Sequence, residues 1–287
     1  MTALYSSAEI CRMEQAACIQ LSSYTLMQRA GKAAADIALK LLPDNVHKAR
    51  ILVLVGPGKN GSDALETATV LTQSGAEVVA LLPMGMTTLP SDAASARSRA
   101  TRAGVHFMPP EQFTNIDGIA WSLVIDGLLG IGLKRPLDDL LRSLVATVNT
   151  FDCPVLALDI PTGLDADTGI LVGPDGTAII ADHTITFIGD KIGLHSGDGP
   201  EYAGKVTLAK LDVASNLLLP SQCAVNAPTL FGSNLRPRLR NAHKGSFGSV
   251  AVIGGAEGMT GAAILAGRAA AKSGAGKVFI GFLDTPP

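Results

Sequence analysis

The sequence predicts an α/β fold of three layers, with helices on both faces of a mostly parallel sheet. From residue 50 onward, short continuous apolar segments alternate with segments that carry apolar residues every three or four positions. Strands that are apolar on both sides are typical of a parallel sheet covered on both faces. The composition agrees, since 47% of the 287 residues are hydrophobic and only 4% are aromatic. We therefore expect a sizeable core of Ala, Val, Leu and Ile.

The predicted elements follow one another in the order that such a fold requires. Two helical segments come first, and strands and helices then alternate. The predicted helices span residues 7–18, 25–42, 63–75, 91–104 and 136–149, the third closed by Gly75, the fourth capped by Ser91 and ended by Gly104, and the fifth with Pro136 in its first turn. The predicted strands span residues 50–56, 77–83, 121–127, 154–161, 182–189 and 204–213. This order predicts a Rossmann-like three-layer α/β/α sandwich with a mostly parallel sheet.

Charge and composition indicate which kinds of binding partner and which cellular location to expect. The formal net charge is −2 and no block of Lys or Arg occurs, which argues against nucleic acid or an anionic membrane as a partner. No apolar run reaches the ~18 residues of a membrane span, and Glu9, Arg12 and Glu14 interrupt any apolar core of a signal peptide. The four cysteines form no Cys-x-x-Cys pair, so we expect free thiols and a cytoplasmic protein.

A glycine-rich turn, GPGKNGSDA, follows the first predicted strand. Gly56, Gly58 and Gly61 match the G-x-G-x-x-G pattern of dinucleotide-binding folds. That pattern also needs an acidic residue at the end of the second strand to hold a ribose hydroxyl, and Glu77 stands before that strand instead of after it. An ordinary NAD(P) oxidoreductase is therefore disfavoured. The turn still predicts free backbone N–H groups at a helix N-terminus, which suit a phosphate or another anion.

Side chains that carry oxygen follow three of the predicted strands. Asn60 and Asp63 follow the first strand, Asp126 ends the third, and Asp159 and Thr162 follow the fourth. The carboxyl ends of parallel strands line one crevice, so we expect these residues to converge there. A set of oxygen ligands without His or Cys suits a hard cation and not zinc. Each residue alone could equally cap a helix or form a turn, so the prediction depends on the set.

Three ordered motifs resemble those of the NAD(P)H-hydrate epimerase domain at the N-terminus of bacterial bifunctional NAD(P)H-hydrate repair enzymes. The family's motifs G-x-G-N-N-G-G-D-G, D-x-L-x-G-T-G and D-I-P-S-G stand here as GPGKNGSDA, DGLLGIG and DIPTG. From residue 243 the sequence pattern predicts a new β-α-β unit. This tail, HKGSFGSVAVIGG and onward, resembles the start of the partner domain, an ADP- or ATP-dependent NAD(P)HX dehydratase with a ribokinase-like fold. The likeness covers most of residues 8–287.

The resemblance implies an isomerase that interconverts the R and S forms of hydrated NADH or NADPH at C6 of the nicotinamide ring. It implies one K⁺ per epimerase site, held by Asn60, Asp126 and Thr162. Asp159 is the expected acid–base group and Asp63 the second candidate, because the C6 hydroxyl must leave and return or the ring must open and close. The expected substrate-binding residues are Lys59, Asn60, Gly61, Ser62, Asp63, Gly130, Ile131, Gly132, Leu133, Lys134, Arg135, Pro136, Asp159 and Ala262.

Several positions depart from the family's motifs. Lys59 replaces the first Asn of the loop, and it would either repel the cation by ~1 kcal/mol or reach a substrate phosphate. Ser62 and Ala64 replace glycines, which would cost ~1–2 kcal/mol at a position that needs a positive φ. Ile131 replaces a Thr and removes a hydroxyl group. We expect a weakened or retuned epimerase.

The resemblance also predicts how the chain is organised. It places an epimerase domain at residues 1–213, a linker at 214–242 and a truncated N-terminal fragment of the dehydratase domain at 243–287. Dehydratase (lyase) activity is expected to be lost, and ADP or ATP would serve only a complete dehydratase domain. The expected partner is NADHX or NADPHX, and a homo-oligomer is expected. The alternative is a non-catalytic nucleotide-binding or interaction module derived from this family.

Overall fold

The computed structural model describes residues 2–42, 45–84, 91–109, 116–235 and 237–283. The chain divides into two compact units, Met1–Asn226 and Ala227–Pro287. The boundary falls within residues 214–242, the segment predicted as a linker. The assignment of residues 1–213 to an epimerase domain and of residues 243–287 to a dehydratase fragment stays a prediction.

The first unit is built on a seven-stranded sheet. Its elements are β1 (Ala3–Tyr5), α1 (Ser7–Gln20), α2 (Ser23–Leu41), β2 (Arg50–Val55), α3 (Lys59–Gln73), β3 (Glu77–Leu81), α4 (Ser91–Ala103), β4 (His106–Met108), β5 (Leu123–Gly127), α5 (Asp139–Val148), β6 (Val155–Leu158), β7 (His183–Phe187), β8 (Asp190–Lys191), α6 (Gly199–Ala203), β9 (Lys205–Ala209) and β10 (Cys223–Ala224). The strands lie in the order β4-β3-β2-β5-β6-β7-β9, and every neighbouring pair is parallel. The predicted α/β fold with a mostly parallel sheet is confirmed.

The direction of the strand order reverses between β2 and β5. After β2 the chain adds β3 and β4 on one side, and it then returns to place β5, β6, β7 and β9 on the other side. The turns that follow β2 and β5 therefore diverge and leave a crevice at the carboxyl ends of these strands, which is where ligands bind in open α/β sheets.

The sheet is buried on both faces because β2 is apolar at every interior position. Ile51 and Val53 belong to the core layer that contains α2 and α3, whereas Leu52 and Leu54 belong to the layer that contains α5. All four side chains are fully buried. Burying one aliphatic side chain contributes roughly 1.5–3 kcal/mol, so this strand firmly anchors the turn that follows it.

The helix after β2 begins earlier than predicted. α3 starts at Lys59, four residues before the predicted start, so residues 59–63 form its first turn instead of a loop. Ser62 and Ala64 lie inside this helix, and neither is among the described non-glycine residues with a positive φ. The backbone strain expected from these two replacements of glycine therefore does not arise.

The start of α5 also differs from the prediction. Asp138 is its N-cap, with a carboxylate that accepts a hydrogen bond from the Leu141 N–H over 2.9 Å, so Pro136 lies before the helix and not in its first turn. An aspartate side chain satisfies a free N–H group at a helix start, and this interaction fixes where the helix begins. The predicted helix cap at Ser91 depends on a side chain that lies outside the described part of the structure.

Four short strands have no counterpart in the sequence prediction. β4 extends the large sheet beside β3, and β10, β1 and β8 form a separate three-stranded sheet. The parallel pairing of β1 with β8 places Tyr5 opposite Lys191. Each of these strands has only two or three residues, too few to show an alternating pattern.

The second unit contains α7 (Pro228–Phe231), β11 (Ser249–Gly254), α8 (Thr260–Ser273) and β12 (Lys277–Phe282). β11 and β12 are parallel, and α8 connects them. Gly274, with a φ of +112°, ends α8 in the left-handed conformation that glycine adopts most easily. The sequence pattern predicts this β-α-β arrangement.

Within the described ranges of the chain, no helix combines the length and apolar character that crossing a membrane requires. The four cysteines are free thiols, as the sequence predicts.

Candidate functional site

The glycines after β2 allow two turns to pack in contact. A Cβ on Gly56 would lie 1.6 Å from the carbonyl oxygen of Leu128, and a Cβ on Gly61 would lie 1.9 Å from the carbonyl oxygen of Gly56. No side chain fits at either position unless the backbone moves. Gly58, by contrast, has open space where a Cβ would lie, and it serves as the N-cap of α3. The close approach of the two turns accounts for Gly56 and Gly61 without a dinucleotide fingerprint.

The structure brings Asn60, Asp126 and Thr162 together behind these turns. The Thr162 hydroxyl lies 2.7 Å from Oδ1 of Asp126, and the Thr162 N–H donates to Oδ2 over 2.7 Å. Oγ1 of Thr162 and Nδ2 of Asn60 share a neighbour, the carbonyl oxygen of Leu129, at 3.3 and 3.2 Å. All three side chains are buried. Three strand ends thus contribute oxygen atoms to one cluster.

One polar atom of this cluster has no partner among the described residues. Oδ1 of Asn60 is buried and accepts no hydrogen bond there, while Nδ2 donates to the carbonyl oxygens of Leu129 and Leu158. Burial raises the pKa of Asp126 to about 6, against the opposing effect of hydrogen bonds from Thr162 and the Leu128 N–H. A hard cation would satisfy both the orphaned oxygen and the buried carboxylate, so this donor set fits the predicted K⁺.

Asp159 follows β6 in an uncommon backbone conformation. Its φ of +66° lies in the left-handed region, which costs a non-glycine residue about 1–2 kcal/mol. Its backbone N–H donates to the Ile185 carbonyl over 2.7 Å, and its Oδ1 accepts a hydrogen bond from Nζ of Lys191. Its Oδ2 lies 3.5 Å from the position of a Cβ on Gly130. One carboxylate oxygen is thus anchored, and the other faces the turn after β5.

Asp63 faces the same space from the first turn of α3. Burial raises its pKa well above the usual range, and the negative charges of Asp159 and Glu14 raise it further, against a smaller effect of Lys59. Asp63 therefore keeps its proton to a higher pH than an ordinary aspartate does. Asp159, in contrast, forms an ion pair with a lysine. Two carboxyl groups in such different surroundings suit the complementary roles of acid and base.

A cavity of about 610 Å³ lies over these groups. Ten of the predicted substrate-binding residues line it, namely Lys59, Asn60, Asp63, Gly130, Ile131, Gly132, Leu133, Lys134, Arg135 and Asp159. The turns after β2, β5 and β6 thus open into one cavity at the carboxyl edge of the sheet.

The other four predicted substrate-binding residues do not line this cavity. Gly61 and Ser62 are buried, because the helical geometry of α3 turns them away from the side that carries Asp63. Pro136 packs against Gly173, within 2.8 Å of the position where a Cβ would lie. Ala262 belongs to α8 of the second unit.

Two walls of the cavity have no counterpart in the sequence prediction. The helices α1 and α2 supply one wall, formed by Ile10, Cys11, Glu14, Ser23, Leu26, Met27 and Ala30. The end of β7 supplies Phe187, and the turns after β7 and β9 supply Ile188 and Leu211. In the sequence these residues belong to ordinary helical and strand patterns, which do not distinguish a wall residue from a core residue.

Three basic side chains stand at the mouth of the cavity, where all are exposed. Lys59, predicted to repel the cation or to reach a phosphate, pairs with Glu14 of α1 at 2.9 Å. Lys134 lies within 3.6 Å of two aspartates of the 165–167 turn. For Arg135 no ion pair is found within the described parts of the chain. Three basic side chains thus stand at the mouth of the cavity, two of them beside acidic partners, whereas the interior carries two aspartates.

Comparison with known proteins gives a consistent result. Residues 23–193 match the family described as YjeF-related protein N-terminus. The chain is 42% identical over 199 residues to the NAD(P)H-hydrate epimerase of Achromobacter xylosoxidans (strain A8), a match that covers 68% of this chain and 88% of that protein. It is 35% identical over 270 residues to the bifunctional NAD(P)H-hydrate repair enzyme Nnr of Escherichia coli (strain K12), across 92% of this chain and 50% of that protein.

The chain spans about half the length of the bifunctional relatives that it matches, 50% of the E. coli protein and 56% of the one from Coxiella burnetii. The fold is also similar to the crystal structure of yeast YNL200c, with a TM-score of 0.60 and 19% identity over 71% of this chain and 86% of that chain. At this low identity the likeness concerns the fold alone. The family match and the epimerase relatives together show that the chain belongs to the YjeF-related N-terminal family, with the NAD(P)H-hydrate epimerases.

Proposed function

We propose that this protein is an epimerase that interconverts R- and S-NAD(P)HX at C6 of the hydrated nicotinamide ring. The observation that carries the proposal is the pair Asp63 and Asp159, two carboxyl groups that line one cavity in different electrostatic surroundings. The names of the epimerase relatives support the choice of substrate.

The chemistry at C6 explains why two carboxyl groups are needed. This carbon carries a hydroxyl group and is bonded to the ring nitrogen. Inversion proceeds either by loss of the hydroxyl as water and return of water to the opposite face, or by cleavage of the C6–N bond to an aldehyde and closure on its other face. Both routes need a proton donor and a proton acceptor within ~3 Å of the reacting atoms. In our proposal Asp63 donates and Asp159 accepts, and the roles reverse on the way back.

The distribution of charge supports one orientation of the substrate. The hydrated ring would enter toward Asp63 and Asp159, along the apolar wall formed by α1 and α2. The phosphates would remain at the mouth, near Lys59, Lys134 and Arg135. The free N–H groups at the start of α3 add partial positive charge at the same place, which favours an anion.

The predicted K⁺ belongs to this proposal as a structural ion. Asn60, Asp126 and Thr162 would hold it, with the orphaned Oδ1 of Asn60 as one ligand. When bound, it would supply a fixed positive charge that offsets the buried carboxylate and steadies the turns after β2 and β5.

Epimerisation of pure R-NADHX by the purified chain tests the proposal. We expect conversion to the equilibrium mixture of R and S forms at a rate far above that of protein-free buffer, as measured by reversed-phase chromatography. The double variant Asp63→Asn/Asp159→Asn is the matched control, since it keeps the size of both side chains. Binding of NADHX without epimerisation would favour the alternative, a non-catalytic nucleotide-binding module.

A second measurement separates the two chemical routes. In H₂¹⁸O, loss and return of water places ¹⁸O at C6 in the first turnover, whereas opening and closure of the ring retains the original oxygen. Either result is compatible with the proposed pair of carboxyl groups, so this measurement assigns the route and not the function.

Other expectations remain predictions. The 287-residue polypeptide is expected to lack dehydratase activity, and ADP- or ATP-dependent conversion of S-NADHX to NADH by this chain would contradict that. Homo-oligomerisation and a cytoplasmic location likewise stay predictions.

A further inference from the structure

Lys191 is a fully buried lysine beneath the cavity, with no exposed side-chain surface. Its Nζ contacts three oxygen atoms, namely Oδ1 of Asp159, Oγ1 of Thr186 at 2.7 Å and the carbonyl oxygen of Phe187 at 2.9 Å. A lysine ammonium group has three N–H donors, so all of them are used. The geometry of the group is therefore fixed.

These contacts hold Asp159 at one oxygen only. Oδ1 receives the Lys191 ammonium and also lies 3.4 Å from Oγ1 of Thr186 and from the N–H of Phe187. Oδ2 is on the other side, 3.5 Å from the position of a Cβ on Gly130, a residue that lines the cavity. Anchoring one oxygen fixes the direction in which the second one points.

Stability alone does not account for a lysine at this position. Removing a charged pair from water carries a large desolvation cost, and an apolar pair of similar volume is often as stable or more stable. The backbone of Asp159 is left-handed, with a φ of +66°, a conformation that persists only where the surroundings enforce it. The buried lysine and this backbone conformation both occur at the carboxylate that the proposed reaction uses. The buried ion pair and the left-handed backbone are explained if they orient the Asp159 carboxylate.

Lys191 also has local support of its own. It lies on β8, which pairs with β1, and the carboxylate of the preceding residue Asp190 is hydrogen-bonded to Nε2 of His195 at 2.9 Å. This neighbouring pair holds the same short segment but does not touch Asp159. It therefore provides a control for the structural effect of loosening β8.

We propose that Lys191 is a positioning residue for Asp159, which anchors Oδ1 so that Oδ2 is presented to the substrate in the cavity. The inference rests on the proposed epimerase function for its kinetic consequence, while the orientation of the carboxylate can be tested without it.

The kinetic test compares Lys191→Met, Asp159→Asn and the double variant in R-NADHX epimerisation. We expect Lys191→Met to lower kcat by about 10²-fold, with a KM within about 3-fold of wild type, because the base is misplaced and not removed. In the Asp159→Asn background the same change should cost less than about 3-fold. A variant His195→Asn, which changes only the neighbouring hydrogen bond to Asp190, should keep its kcat within about 3-fold. Equal losses in both backgrounds, or an unchanged kcat in Lys191→Met, would overturn the proposal.

Lys191→Gln serves as a second variant should the Met variant not fold, because its shorter amide keeps a donor near Asp159. Its kcat should lie between those of wild type and Asp159→Asn, and an unaltered kcat would count against the proposal. A crystal structure of the folded variant gives the independent result. We expect the Asp159 carboxylate to rotate away from the cavity, and an unchanged orientation would refute the positioning role even if wild type proved unable to epimerise NADHX.

Discussion

The negative charge of Asp159 acts on Asp63 across the cavity. Together with burial, which is the larger cause, it raises the pKa of Asp63 well above the usual range of an aspartate. Asp159 itself forms an ion pair with Lys191. Burial and a neighbouring negative charge thus favour the protonated form of Asp63, whereas Asp159 has a buried ammonium group beside it, although the two residues are chemically identical. Enzymes that need an acid and a base at one pH obtain them by such differences in surroundings.

Replacing either carboxyl group by an amide should abolish most of the activity. Asp63→Asn removes the proposed proton donor and Asp159→Asn the proposed acceptor, so we expect each variant to lose about 10²–10⁴-fold in kcat. Epimerisation of R-NADHX measures the loss. Asp36→Asn is the control, because Asp36 pairs with Lys32 on α2 at a distance from the cavity lining. Retention of full activity by both cavity variants would refute the assigned roles.

The raised pKa of Asp63 also predicts a pH-dependent effect on stability. The folded state keeps the Asp63 proton to a higher pH than the unfolded state, so folding loses stability as pH rises from the unfolded pKa through the folded one. Each unit of such a shift corresponds to about 1.4 kcal/mol. The Asp63→Asn variant does not undergo this loss of stability. The unfolding free energy of the variant minus that of wild type, measured in urea, should therefore increase from pH 4 to pH 8.

The variant must be compared with wild type because Asp126 also affects how stability depends on pH. Burial raises the pKa of Asp126 to about 6, so this residue lowers the stability of both proteins as pH rises. Its contribution cancels when the unfolding free energy of one protein is subtracted from that of the other. A difference that stays flat across this range would show that Asp63 ionises normally in the folded protein.

The position of polar residues at the ends of strands was sufficient to predict the cluster of oxygen atoms from the sequence. Asn60, Asp126 and Thr162 each follow or end a strand, and parallel strands must bring such residues to one edge. The start of α3 was harder to predict because GPGKNGSD reads as a flexible loop, although Lys59 already begins the helix. Helix starts without a capping side chain leave no local signal, and Gly58 provides none.

Lys191 and Glu14 could not be predicted from the sequence. Lys191 lies on a strand of two residues, and its partner Asp159 is 32 positions away in the chain. Glu14 stands among ordinary polar residues of α1, and only the packing of that helix over the mouth of the cavity brings it to Lys59. Both contacts depend on how distant elements pack, which periodicity and local motifs do not encode.

The Lys59–Glu14 ion pair should control affinity more than stability. Lys59 is 71% exposed in its side chain, so the pair contributes only about 0–1 kcal/mol to folding. Glu14→Gln would leave the ammonium free for a substrate phosphate. We expect the KM for NADHX to fall about 3-fold at low salt with kcat unchanged, and Lys59→Gln to raise KM by a similar factor.

Steady-state epimerisation at low and high salt measures this effect, which should shrink as salt screens the charges. Lys32→Gln, which breaks an exposed ion pair with Asp36 on α2, is the matched control for loss of a positive charge. If Glu14→Gln and Lys59→Gln shift KM in the same direction, Lys59 does not contact the substrate phosphates.

Potassium should stabilise the protein through Asn60. An ion that binds only the folded state at ten times its Kd adds about 1.4 kcal/mol, which raises Tm by a few degrees for a unit of this size. We expect this rise with KCl but not with tetramethylammonium chloride of equal ionic strength. Asn60→Ala removes the orphaned Oδ1 and should abolish it.

Asn149→Ala is the control for the potassium measurement. Asn149 also has a partly buried amide, but its Nδ2 and Oδ1 are both satisfied, by the Ala178 carbonyl and the Ile180 N–H. Its variant should be less stable yet keep the full rise of Tm in KCl. Identical responses of the two variants would place the ion elsewhere.

Gly56 and Gly58 provide a test of the turn geometry, because they lie two residues apart in different surroundings. A Cβ on Gly56 would lie 1.6 Å from the carbonyl oxygen of Leu128, so Gly56→Ala must push the β2 and β5 turns apart. We expect a loss of about 1–3 kcal/mol or more in unfolding free energy, together with loss of the potassium-dependent rise in Tm, since the side chains of Asp126 and Asn60 both hydrogen-bond to the turn after β5. Denaturant unfolding with and without KCl measures both quantities.

Gly58→Ala should behave differently although it changes the same motif. No atom lies within 4 Å of its Cβ position, and its φ of −95° suits any residue. The lower entropy of the unfolded chain favours alanine by about 0.4–1 kcal/mol, and the poorer N-cap of α3 opposes it by a similar amount. We therefore expect a net change below about 1 kcal/mol and an intact potassium response. Equal destabilisation by Gly56→Ala and Gly58→Ala would mean that the glycines serve the flexibility of the loop, and not the contact between the two turns that brings Asn60 to Asp126.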